Sequence, residues 1–178
     1  MNNTIIPITL DDFNKNVVIK FNNILDGLDA FQNFMLEPKN ISLGEEEIIN
    51  YILKVFEINN SYCYIDFYIN KLSSEERDNL MNLVPMEDKN LLKSIFEINP
   101  LSNYFKVENK DLIPFLARLS TRENFFITFY FTQTPITIWS NYGLKFPCFC
   151  LNKKDLDFYI NQLNYIITIF RHKKWTYL

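Results

Sequence analysis

The chain of 178 residues is 48% hydrophobic and 16% aromatic with a net charge of −3, enough apolar material for one core and one domain over residues 1–178. Its 3 Gly and 7 Pro exclude a loop-rich or disordered chain, and no uncharged apolar run reaches the roughly 18 residues that cross a bilayer. Met1 to Pro7 lacks the basic and apolar regions of a signal peptide, and three cysteines, an odd number, point to a reducing compartment, so the expected location is cytoplasmic with no membrane partner.

Thr9 with Asp12 three residues on predicts a capped helix start. Leu10, Phe13, Val17, Phe21, Ile24, Leu28, Phe31 and Met35 then recur at steps of three and four, predicting one long helix bent at Gly27 and ended by Pro38. Its stripe is the core face of a helix or, in a homodimer, a coiled-coil seam. Ser42 with Glu45 predicts a capping box for a second helix, whose buried face is Ile48, Ile49, Ile52, Val55 and Phe56. Cys63, Ile65, Phe67 and Ile69 alternate as in a strand. An echo between Asp66–Leu72 and Asp157–Leu163 leaves a helix open for the same stretch. Ser73 with Glu76 caps a short helix stopped by Pro85; Asp88 and Asp111 are the expected caps of two more.

Residues 125 to 170 carry the clearest pattern. Phe125–Phe131 alternates, Thr132–Pro135 turns, Ile136–Trp139 alternates again, and Gly143 sits in a second turn. Leu144–Leu151 is a third strand, expected at an edge or bulge because Pro147 cannot donate a hydrogen bond. Asn152 and Asp155 open a helix with a stripe from Leu156 to Phe170. The expected fold is therefore α+β: a three- to four-stranded antiparallel sheet packed against several helices, with a long C-terminal helix after a β-meander.

Catalytic constellations are sparse. His172, the only histidine, stands among Arg171, Lys173 and Lys174, and Gly27, Gly44 and Gly143 are isolated, so neither a nucleophile elbow nor a phosphate loop is present. Cys148 and Cys150 share one strand face, which small core hydrophobes explain better than zinc. Most paired carboxylates fall at predicted helix starts. No catalytic residue, metal or cofactor is assigned.

What remains is surface chemistry. If the last helix covers the Phe125/Ile127/Phe129 face, the other face carries Phe126, Tyr130, Trp139, Lys145 and Phe149, covered either by the N-terminal helices or by a protein partner. Residues 1–100 carry 8 Lys and Arg against 16 Asp and Glu, a net of −8, whereas residues 101–178 carry 10 against 5, a net of +5. The favoured function is a non-enzymatic protein-binding factor of the inhibitor, immunity or accessory kind, acting through Tyr130, Trp139, Phe149, Phe126 and Lys145. The alternative is nucleic-acid binding through the basic half, with Arg171, Lys173, Lys174 and Trp175. A small nuclease or hydrolase is third.

Overall fold

The structure is a computed structural model that describes residues 5–98, 102–163 and 167–170. The chain opens with strand β1 (Ile5–Ile8), helices α1 (Leu10–Asn16) and α2 (Ile24–Ala30), then strand β2 (Gln32–Pro38). Helix α3 (Gly44–Ile58) leads into β3 (Cys63–Asp66), α4 (Ser74–Leu83), α5 (Met86–Glu97), β4 (Tyr104–Val107) and α6 (Leu112–Thr121). The meander follows as β5 (Thr128–Phe131), β6 (Ile136–Ile138) and β7 (Phe146–Cys150), then α7 (Lys153–Leu163) and β8 (Ile167–Phe170). The strands form one 8-stranded sheet in the order β1-β4-β3-β5-β6-β7-β2-β8, with every neighbouring pair antiparallel. The α+β class holds; the sheet is twice the expected size.

Two of the added strands, β2 and β8, came from segments expected to be helical, whereas β1 and β4 arise where no element was expected. The long N-terminal helix does not form, so neither does the coiled-coil surface drawn on it. Thr9 caps α1, its hydroxyl accepting the Asp12 N–H at 3.0 Å. The β-branched Val17 then leaves the helix in extended conformation, and Asn23 caps a separate α2 through the Asp26 N–H at 3.1 Å. Beyond α2 the chain becomes β2, where Phe34 pairs with Cys148 and Met35 with Pro147. Likewise α7 ends at Leu163, and Ile167–Phe170 add a strand to the far side of β2 in place of more helix.

β2 also explains Pro147, which is not at an edge. The Pro147 carbonyl accepts the Trp139 N–H at 2.9 Å. A strand residue presents N–H and C=O on the same side, so the absent donor faces the end of β6 and spares the β2 ladder. Gly143 takes φ 67 as its turn requires. The capping box of α4 is as expected, Ser73 N–H to Glu76 at 2.8 Å and Glu76 N–H to Ser73 at 3.3 Å. The box at Ser42 is not: Leu43 precedes α3, and Glu45 reaches across to Arg122 with two bonds of 2.7 Å. Asp88 sits in the first turn of α5 and grips Arg118 at 2.6 and 2.8 Å.

Period-2 alternation gives the sheet two unlike faces. One cross-strand row reads Phe105, Ile65, Phe129, Ile138, Cys148, Phe34, and helices α3 to α7 bury it in the main core. The neighbouring row reads Lys106, Tyr64, Tyr130, Thr137, Phe149, Asn33 and points the other way. There the chain from α1 to α2 lies across the sheet, with Phe13 and Val17 packed on Tyr64 and Tyr130. Ile19 is buried beside them, its carbonyl accepting the Thr137 hydroxyl at 2.7 Å.

Candidate functional site

On that second face the covering segment leaves a cavity of about 450 Å³, within the range of ligand pockets. Its floor comes from the sheet: Tyr104 on β4, Asp66 at the end of β3, Tyr130 on β5 and Trp139 just beyond β6. Leu10, Phe13 and Asn14 of α1 form one wall, and Lys20, Phe21 and Asn22 of the linker form another. Tyr68, 41% exposed, and Leu10, 51% exposed, stand at the opening.

Two aromatic pairs fix the walls. Phe13 stacks on Tyr104 with centroids 3.9 Å apart and meets Tyr130 edge-on at 5.0 Å. Phe21 stacks on Trp139 at 5.3 Å and is held from behind by the edge of Phe149 at 4.6 Å. Gly27 of α2 closes this second stack: a methyl group there would lie 2.6 Å from the Phe21 ring. Its role is close approach, not the helix bend expected of it.

Asp66 is the one carboxylate in the lining. Only 9% exposed, it accepts the Thr128 N–H at 2.7 Å and the Tyr130 hydroxyl at 3.2 Å. Burial pushes its carboxyl up to about 6, against the pull of the Thr128 and Tyr130 hydrogen bonds. The Tyr130, Tyr104 and Tyr68 phenols are raised, first by burial and then by the Asp66 charge, so all three keep their protons. Lys20 donates to the carbonyls of Val17 at 2.6 Å and Asn14 at 3.1 Å, where its ammonium caps the end of α1. The pocket therefore offers phenol donors, amides, aromatic faces and a desolvated carboxylate.

The site residues expected from sequence are divided by the fold. Tyr130, 4% exposed, and half-buried Trp139 both line the pocket. Phe149 has no exposed surface and meets Phe21 from below. Phe126 lies before β5 against the Tyr142 ring at 4.7 Å, and exposed Lys145 pairs with Glu37 at 3.7 Å. Neither lines the cavity. Arg171, His172, Lys173, Lys174 and Trp175 lie outside the described residues. Within the described basic half, Lys106, Arg118, Arg122 and Lys145 are each paired with a carboxylate.

Asp66, Tyr68, Tyr104, Lys20, Phe13 and Phe21 were not among the site residues expected from sequence. One signal was there to be read: interleaved with the apolar set of β3, Tyr64, Asp66 and Tyr68 put a carboxylate between two tyrosines on one strand face. Cys63, Cys148 and Cys150 are free thiols buried in the main core, and burial raises each of them, which keeps them unreactive. Among the described residues no group of three or more His, Cys, Asp or Glu side chains is placed to hold a metal ion, and no helix is long and apolar enough to cross a membrane. Comparison of the chain with protein-family models, with curated proteins and with solved structures finds no match.

Proposed function

We propose that the chain is a non-enzymatic binding protein of the inhibitor, immunity or accessory-factor kind, which recognises a protein partner at the mouth of this pocket. The observation that carries the reading is the cavity itself: aromatic rings and a desolvated carboxylate, assembled from both sheet and covering segment, open past Tyr68 and Leu10. Concave aromatic surfaces with a few placed polar groups are where partners anchor side chains. A carboxyl titrating near 6 also suits general acid–base work. The lining, however, supplies no second carboxylate and no Ser, Cys or His to act with Asp66, which favours recognition over catalysis.

Affinity capture from the native source, with nuclease-treated samples in parallel, tests this. The wild-type chain should retain one protein in stoichiometric amount, independent of nucleic acid. Tyr68→Ala should release it, while Leu83→Ala, an exposed change on α4, should not. Retention by the Tyr68 variant at wild-type level, or capture that vanishes with nuclease, would overturn the proposal.

A further inference from the structure

Granting that the pocket is the recognition site, we infer that the group entering it carries a protonated amine or guanidinium, which lodges on Asp66. The floor row holds Tyr104, Asp66 and Thr128 in register on adjacent strands, with Trp139 beyond. The Phe13–Tyr104 and Phe21–Trp139 stacks therefore flank the carboxylate on either side. Ring faces and a carboxylate share the negative sign that a cation seeks.

The internal hydrogen bonds of Asp66 do not account for its charge. Its donors, the Thr128 N–H and the Tyr130 O–H together with the Thr128 hydroxyl and its own N–H, are all neutral. An asparagine would accept the Thr128 N–H equally well. A carboxylate 9% exposed and without a cation is costly. The nearest candidate within the lining, Lys20, is engaged by two main-chain carbonyls of its own segment. It forms no ion pair with Asp66 among the described residues. The other titratable groups facing Asp66 are Tyr104 of β4, Tyr130 of β5 and Tyr68 beyond β3, all held protonated. A cation from outside is what this arrangement lacks.

Calorimetric titration of the full chain with n-butylammonium, n-butylguanidinium and butyrate tests the inference at pH 7.5 and pH 5. The two cations should bind saturably at pH 7.5 and butyrate should not. Asp66→Asn should weaken cation binding at least tenfold, while Leu83→Ala, exposed on α4 and outside the lining, should leave it unchanged. A shift to pH 5, one unit below the midpoint of Asp66, should weaken it about tenfold as the carboxylate is protonated. Equal cation affinity in the Asp66 variant, or binding of butyrate alone, would overturn the inference. If neither cation binds while the partner is still released by Tyr68→Ala, the ligand class is wrong and the recognition site stands. If Tyr68→Ala also retains the partner, both fall.

Discussion

The two faces of the sheet share strands, register and backbone hydrogen bonds, yet are chemically unlike. Toward α3–α7 the row through Phe129 holds only Phe, Ile and Cys, and nothing in it asks for a polar partner. Toward α1 and α2 the same strands show Tyr64, Asp66, Thr128, Tyr130 and Thr137, and the cover is two short helices and their linker, held by the ring contacts of Phe13 and Phe21 and by the Ile19–Thr137 bond. The first face supplies stability through close packing. The second accepts a buried carboxylate and a cavity, and so gives up stability where recognition is proposed.

The sharpest break in this contrast is Phe129→Ala. It should cost about 3–5 kcal/mol in denaturant unfolding, because the ring is wholly buried among helices that cannot close on the gap.

On the other face Asp66→Asn should act in the opposite direction, raising stability at pH 7.5 by roughly 1–3 kcal/mol. The sign follows from proton uptake. Folded Asp66 holds its proton up to about 6, whereas an unfolded Asp releases it near ~4. The folded state thus binds more protons in that window, and the wild type loses stability as pH climbs through it. Thermal melts of the two proteins should converge as pH falls to about 4. A variant less stable than wild type at pH 7.5 would place Asp66 with the structural residues of the first face.

Smaller effects sharpen the comparison. Gly27→Ala forces the Phe21 ring to move, and that ring is already held by Trp139 and Phe149. Overpacking of about 1–3 kcal/mol is offset by the roughly 1 kcal/mol that Ala gains in a helix. The net loss should be about 1 kcal/mol, with the Phe21–Trp139 wall displaced, measurable as a change in Trp139 ring resonances. Smallest of all, Tyr68→Ala should change unfolding by under ~0.5 kcal/mol while abolishing partner capture.

Elements whose signals are local were legible in sequence. The Ser73–Glu76 box and the Asn152–Asp155 start of α7 satisfy their own backbone groups within three residues, and β5 to β7 pair with their neighbours in sequence across short connections. What escaped depends on distant partners. β2 carries Phe34, Met35 and Leu36 in a run that periodicity assigns to a helix, and only pairing with β7 and β8 makes it a strand. The echo makes the same point: Asp157–Leu163 is helical in α7, whereas Asp66 ends a strand and Ile69–Lys71 forms a single 3-10 turn. The pocket was half legible. Tyr130 and Trp139 were placed on the correct face by alternation, but Asp66 joins them only through the β3–β5 register, and Phe13 and Phe21 only because the N-terminal helix breaks.

The position of β2 between β7 and β8 has a consequence for how the chain is made. During synthesis, Phe34, Met35 and Leu36 emerge early and have no strand to pair with until β7 has been translated. The contact between Ile19 and Thr137 spans 118 residues and waits just as long. An apolar strand that stays unpaired for seconds on the ribosome is a natural target for a holding chaperone. Refolding from denaturant should be correspondingly slow, on the millisecond-to-second scale of non-local sheets.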